Sequence, residues 1–216
     1  MCEFGWIPKA FSVEEKITNL LRFFGVDRLN AVRQVHEVAF RKSTKHAISH
    51  EAIAAWLRQG EIEAGQINTK DFDRKKLIEA LPSIRSFSKK HPQEYRKDLQ
   101  TILSECGVAL VINPTLPKAP INGATKWLTP TKALVHLSLR NAFADIFWFS
   151  MFHELGHILK GGKKVSYVDY DNEKNQDEID ADEFAQEVLI PFKDYKVFTE
   201  TGDFSLKAVQ SFADLI

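Results

Sequence analysis

The amino-acid sequence predicts an α+β protein in which a helical N-terminal region, residues 1–106, precedes a mixed region, residues 107–216. Apolar residues recur at helical spacing through most of the N-terminal region. Short β-branched segments bounded by Gly or Pro appear only after residue 107, and helical spacing returns at about residue 144. Strands that are grouped between runs of helix, rather than alternating with them, are typical of the α+β class.

The N-terminal region is expected to contain helices at residues 13–24, 28–41, 47–64, 73–90 and 93–106. Gly25 follows the first of these and is a suitable C-cap, because glycine adopts the left-handed conformation without steric cost. Pro92 stands near the start of the last helix and Gly107 directly after it, which is the arrangement that these residues prefer at helix ends. Gly60 interrupts the third segment and is expected to break it.

Three short strands are expected in the second region, at residues 108–112, 124–128 and 133–139. The last two are separated by the segment TPTK and should form a hairpin. In the third strand the apolar residues alternate with His136 and Ser138, so one face should be buried and the other exposed. Two helices are expected to follow, at residues 144–160 and 176–189, and the residues before Ile216 also have a helical pattern.

Composition excludes several classes of protein. Hydrophobic residues make up 44% of the 216 residues and charged residues 27%, the mixture of an ordinary globular protein. The net charge is zero, although residues 1–100 carry 18 Lys and Arg against 13 Asp and Glu. A solvated helical surface explains this excess, so direct binding of nucleic acid is not expected. The chain has no signal peptide and no apolar run of about 18 residues, so we expect no membrane contact. Two cysteines outside any metal motif indicate a reducing compartment, the cytoplasm.

The segment FHELGHIL carries the clearest chemical signal. His153 and His157 are one helical turn apart, so their side chains point the same way and can share one metal ion. Glu154 follows the first histidine and would stand beside the metal, where it can take a proton from water. This HExxH arrangement is typical of zinc metalloproteases. Gly156, which costs about 1 kcal/mol of helix stability relative to alanine, indicates a close approach by another backbone or a substrate.

Zinc requires a third protein ligand and an open position for water. The segment DEIDADEFAQEVLIP offers Glu178, with Asp180 as a competing candidate, because several acidic residues are crowded into one predicted helix. Asp182 lies one turn after Glu178 on the same face, and it could accept the free ring N–H of a metal-bound histidine. Manganese or iron would tolerate similar ligands, but zinc is the first expectation.

These motifs together resemble the ImmA/IrrE metallopeptidase family. The resemblance rests on GATKWLTPTKALVHLSLR, FWFSMFHELGHILKGGK and DEIDADEFAQEVLIP, in that order. It implies a zincin-like core and favours Glu178 over Asp180 as the third ligand, since the family's run E-x-x-A-[DN]-x-F-A is in register with Asp182. The family's histidine shortly after HExxH is replaced here by Lys160.

The resemblance also implies a function. Its nearest subgroup resembles the C-terminal part of fusions that begin with a helix-turn-helix repressor or HigA-type antitoxin domain, and no helix-turn-helix is recognisable here. Such proteins are similar to endopeptidases that cleave a helix-turn-helix repressor encoded nearby, often in toxin–antitoxin-like pairs. Regulatory proteolysis of such a protein is therefore the expected function. The alternative is a non-catalytic antirepressor or antitoxin-like binding module with a structural or vestigial metal site.

Three further residues are candidates for contact with the substrate or the oxyanion. His136 and Arg140 lie in or just after the strand that precedes the HExxH helix, where an edge strand would pair with an extended peptide. Either could face the oxyanion of the tetrahedral intermediate. Tyr167, in the loop between the two metal-bearing helices, could donate a hydrogen bond to the same oxyanion.

Overall fold

The computed structural model describes residues 1–32, 48–139, 143–161, 167–168 and 176–216, with the backbone alone at 167–168. In the described part of the chain the helices are α1 (Val13–Phe24), α2 (His50–Gln66), α3 (Arg74–Ser86), α4 (Pro92–Glu105), α5 (Ala144–Lys160), α6 (Gln176–Leu189), α7 (Phe192–Glu200) and α8 (Leu206–Leu215). The strands are β1 (Val108–Asn113), β2 (Gly123–Thr129), β3 (Lys132–Ser138) and β4 (Tyr167–Val168). The prediction of a mixed α+β fold is confirmed.

The strands form one sheet in the order β1-β3-β2-β4. β2 and β3 form the predicted antiparallel hairpin, and β1 pairs with β3 in parallel. β4 pairs with β2 only at Ala124 and Thr125. The strand β3 is therefore central, and the prediction of an edge strand directly before the HExxH helix is wrong.

Helices cover both faces of this sheet. One face packs against α5 together with α3 and α4, in a core that includes Leu77, Leu99, Val135 and Phe152. The opposite face packs against α2 through Trp56 and Ala124. Because α2 covers this second face, the predicted exposed face of β3 is wrong: His136 is fully buried and Ser138 is 8% exposed.

Local sequence signals explain most helix ends. Ser12 caps α1 by accepting a hydrogen bond from the Glu15 backbone N–H, and Gly25 ends the helix at φ 65° as expected. The predicted break at Gly60 is wrong, since α2 continues through it to Gln66. The predicted helix 28–41 lies largely outside the described residues.

Among the described residues, α3 and α4 share a core with α5, and α1 and α2 pack against residues 119–124. The division at residue 107 marks the first strand and stays a prediction as a domain boundary. None of the helices in the described ranges combines the length and apolar composition needed to cross a bilayer.

Candidate metal centre

The two helices that carry the candidate ligands pack closely against each other. At Gly156, in the middle of α5, an added Cβ would lie 3.2 Å from the Cα of Ala181 and 3.1 Å from the ring of Phe184 on α6. A side chain at position 156 would therefore push the helices apart. The close packing explains why a glycine, which lowers helix stability, stands in the middle of α5. It also brings the acidic face of α6 within reach of the α5 histidines.

Three side chains meet where α5 and α6 face each other, and they are a group that could hold a metal ion. Nε2 of His153 lies 3.0 Å from Nε2 of His157 and 3.1 Å from Oε2 of Glu178. Nε2 of His157 lies 3.5 Å from the same Oε2. Ligands at about 2.0–2.1 Å from a tetrahedral zinc ion would stand roughly 3.3–3.4 Å apart. The three atoms therefore have the mutual spacing that one small metal ion requires.

Asp182 orients the first histidine of this group. Its Oδ1 lies 2.9 Å from Nδ1 of His153. A carboxylate accepts a hydrogen bond, so this contact places the ring proton on Nδ1 and leaves the Nε2 lone pair facing His157 and Glu178. Asp180 is not part of the group, because its carboxylate accepts a hydrogen bond from Gln176 at the exposed end of α6.

The histidines favour the charged form of Glu178. Burial alone would raise the pKa of this carboxyl group, but in their protonated forms His153 and His157 donate hydrogen bonds and contribute positive charge, which outweigh burial and lower the pKa to about 2. The carboxylate is thus ionised throughout the physiological range, as a metal ligand must be.

Glu154 points away from solvent and towards β2. Its side chain is fully buried, and the hydroxyl of Thr125 donates to its Oε2 at 2.6 Å. At Gly123, the first residue of β2, an added Cβ would lie 2.4 Å from Oε1 of the same carboxylate. Thr125 and Gly123 were not among the predicted site residues, although an isolated glycine in a strand is a known sign of close approach.

His136 lies on the other face of the sheet from Glu154. Its ring stacks on Trp56 with a centroid distance of 3.5 Å, and an added Cβ on Gly60 would overlap it. Burial lowers the pKa of His136 to about 3, so the ring is neutral. The structure therefore does not bring His136 to the metal-binding group, and it leaves no room for a substrate at this side chain.

The other two candidates for substrate contact are not located. Arg140 lies outside the described residues. Tyr167 belongs to β4, which pairs with β2 beside Thr125, but only its backbone is described. Both remain predictions.

The comparison with known families agrees with this geometry. The sequence model of the IrrE N-terminal-like domain, Peptidase_M78, matches residues 139–210. The matched segment includes α5 and α6 and therefore all three members of the candidate metal group. Neither the curated proteins nor the solved structures gave a significant match.

Proposed function

The sequence model of the IrrE N-terminal-like domain matches residues 139–210, and from this premise we propose that the chain is a zinc-dependent endopeptidase. The observation that supports the proposal best is the spacing of the three candidate ligand atoms on α5 and α6, at 3.0–3.5 Å from one another. A carboxylate that is not among these atoms, Glu154, follows directly after the first of them in α5. A purely structural site would not need it.

Two imidazoles and one carboxylate are a donor set that suits zinc, and Asp182 provides the carboxylate–histidine contact that commonly supports such ligands. A zinc ion held by His153, His157 and Glu178 would leave one position open to water and would polarise the carbonyl of the scissile peptide bond.

Glu154 is proposed as the general base. It would accept a proton from the attacking water and pass that proton to the leaving amine. The hydroxyl of Thr125 fixes one carboxylate oxygen, and the bare Cα of Gly123 leaves space for the other. The base is therefore held in one position before a substrate binds, which reduces the cost of reaching the transition state.

We further propose that residues 107–216 form a zincin-like catalytic core and that the helices of residues 1–106 complete its packing. Support comes from the arrangement of α5 and α6 against one face of the sheet, and from the shared core of α3, α4 and α5.

The substrate we propose is a helix-turn-helix repressor or antitoxin-type regulator encoded near this protein. The support is the family resemblance, which implies regulatory proteolysis, and we propose the cytoplasm as its place because two cysteines outside any metal motif favour a reducing compartment. A non-catalytic antirepressor or antitoxin-like module with a structural metal is the alternative. The fully buried Glu154, with Thr125 and Gly123 shaped around it, favours the enzyme.

The test measures metal content and cleavage in the same set of proteins. Zinc is quantified by mass spectrometry after loading and desalting of the wild type and of His153→Ala, Glu178→Ala, Asp180→Ala and Glu154→Gln. The same proteins are incubated with the neighbouring helix-turn-helix protein, and fragments are identified by intact mass.

We expect one zinc ion per chain in the wild type, in Asp180→Ala and in Glu154→Gln, and loss of zinc in the two ligand variants. Only the wild type and Asp180→Ala should cleave. A wild type that takes up no zinc contradicts the metal site. Undiminished cleavage by Glu154→Gln contradicts the proposed base. Zinc binding without cleavage, combined with tight binding of the repressor, supports the binding module instead.

A further inference from the structure

A pocket of about 310 Å³ lies between α4, the first turns of α5 and the C-terminal ends of β1 and β3. We call it the α4–α5 pocket. Leu99 on α4 and Leu137 on β3 form its buried wall, and each is only 1% exposed. Phe143 and Ala144 at the start of α5 are exposed and border the pocket on the solvent side. The lining is mainly apolar, and nothing in the described part of the chain fills the pocket.

Two elements that position Glu154 continue into the wall of this pocket. Ser150 lines the pocket and precedes Glu154 by one turn on the same face of α5, about 6 Å along the helix axis. Asn122 lines the pocket as well, and it directly precedes Gly123, the residue that abuts the Glu154 carboxylate. The pocket therefore begins next to the proposed catalytic base.

We propose that the α4–α5 pocket binds a large apolar side chain, such as Phe, Leu or Met, of the substrate residue that flanks the scissile bond. This inference rests on the proposed peptidase function. Residues of an extended peptide rise by about 3.3 Å each, so a side chain beside a bond at Glu154 reaches one helical turn away. The pocket thereby sets which peptide bonds are cut.

The size and chemistry of the pocket select this class of side chain. Its volume of about 310 Å³ lies at the lower end of the roughly 300–1,000 Å³ of ligand pockets, so there is room for any single large apolar side chain. A charged side chain would lose its hydration against Leu99 and Leu137, and the one charged residue in the lining, Arg96, could offset that loss only for an acidic side chain, which is why the test below includes Asp. The small hydroxyl side chain of Ser150 keeps the end nearest Glu154 open.

A second groove provides a rival assignment. It has a volume of about 290 Å³ and lies on the other side of α5, lined by Phe149, Leu189 and Tyr195. The ring of Phe149 is 6.3 Å from that of His153. None of the residues that line this groove is buried, whereas Leu99 and Leu137 are buried in the wall of the α4–α5 pocket. The groove lies on the metal-ligand side of α5, whereas the α4–α5 pocket lies beside the base.

Binding provides a test that does not depend on turnover. Full-length, zinc-loaded Glu154→Gln is titrated with labelled pools of short peptides that differ only in one central residue, Phe, Ala or Asp, and affinity is read by fluorescence anisotropy. Burial of the Phe ring should make the Phe pool bind roughly tenfold or more tightly than the Ala pool. Equal affinity for the Phe and Ala pools would overturn the proposal.

Ala144→Phe, combined with Glu154→Gln, fills the pocket from an exposed position and so spares the fold. We expect it to abolish the preference for Phe over Ala. The matched control is Ala213→Phe, the same change at an exposed position of α8, which should keep the preference. If Ala144→Phe keeps the preference and Tyr195→Ala removes it, the second groove is the binding site and the proposal is wrong.

Cleavage mapping separates this proposal from the proposed function. Peptides cut by the zinc-loaded wild type are sequenced by mass spectrometry, and large apolar residues should be enriched at one position next to the cut. Cleavage without such enrichment overturns the pocket assignment and leaves the peptidase intact. Selective binding of the Phe pool without any cleavage overturns the peptidase and leaves a peptide-binding pocket.

Discussion

The Thr125 hydroxyl lies 2.6 Å from the side-chain Oε2 of Glu154 and 3.1 Å from the backbone carbonyl oxygen of the same residue, so its one proton is shared between two acceptors. One side chain on β2 thus fixes the helix α5 and the proposed base together. The position and charge of a carboxylate that is buried in this way depend on each hydrogen-bond donor around it, because no water can replace a donor that is lost.

Thr125→Val should lower peptidase activity while zinc content stays at the wild-type level. A hydrogen bond to a charged group is worth about 1.5–3 kcal/mol, so kcat should fall roughly 10- to 100-fold. Cleavage rates and zinc stoichiometry are measured on the same preparations. Thr125→Ser keeps the hydroxyl and should retain most of the activity, and an active Thr125→Val enzyme would show that the contact is structural only.

Gly123→Ala should remove activity in a protein that still folds. The new methyl group would lie 2.4 Å from Oε1 of Glu154, and the end of a flexible side chain can move away more easily than the strand. The base is then displaced, and the free energy of unfolding should fall by about 1–3 kcal/mol, the usual cost of an extra methyl group in a packed core. Urea unfolding and cleavage assays measure the two effects.

The control for this prediction is Gly65→Ala in α2, where an added Cβ meets nothing within 4 Å. It should keep full activity and gain up to about 1 kcal/mol in stability, because alanine is the better helix former. If Gly123→Ala cleaves as fast as Gly65→Ala, the close approach to Glu154 has no catalytic consequence.

Asp182→Ala should weaken zinc binding without abolishing it. The variant loses the carboxylate that holds the His153 proton on Nδ1, and loss of such supporting contacts typically lowers metal affinity about 10- to 100-fold. Competition with a chromogenic chelator measures the dissociation constant. Asp180→Ala serves as the comparison, since Asp180 contacts Gln176 rather than the metal group, and equal affinities in the two variants would contradict the assignment.

The part of the site that could be predicted from sequence is the part with local periodicity. His153 and His157 share a face because a helix turns once in about four residues, and the predicted bounds of α5 and α6 agree with the structure. Thr125 and Gly123 could not be assigned in the same way. Their contact with Glu154 depends on how β2 lies against α5, which is a relation between segments 29 residues apart.

At His136 the sequence pattern led to a wrong prediction. Its alternation with Val135 and Leu137 predicted a polar, accessible face, which would hold for a sheet covered on one side only. In the structure α2 covers that face, and Gly60 makes room for the imidazole ring. Gly60 does not break the helix α2; it is the position at which α2 passes over the ring of His136.

The buried imidazole of His136 should make the protein less stable in mild acid. Desolvation lowers its folded pKa to about 3, against an ordinary value of 6.5, so between these values the unfolded chain binds the proton and the folded chain does not. The contribution of His136 to the free energy of unfolding is fully present above about pH 6.5, and it declines as the pH falls towards 3. The Asn113 amide nitrogen, 3.3 Å from Nε2, opposes protonation as well because it can only donate.

His136→Gln should remove this dependence. Between pH 7 and pH 5 the wild type should lose about 2 kcal/mol more unfolding free energy than the variant. Urea titrations of both proteins at the two pH values, with a chelator present throughout, keep proton competition at the metal ligands out of the comparison. The variant will be the less stable protein at pH 7, because it lacks the ring that stacks on Trp56. The quantity to compare is therefore the slope of the unfolding free energy against pH in each protein. Parallel slopes would mean that the His136 ring can take up its proton inside the folded protein.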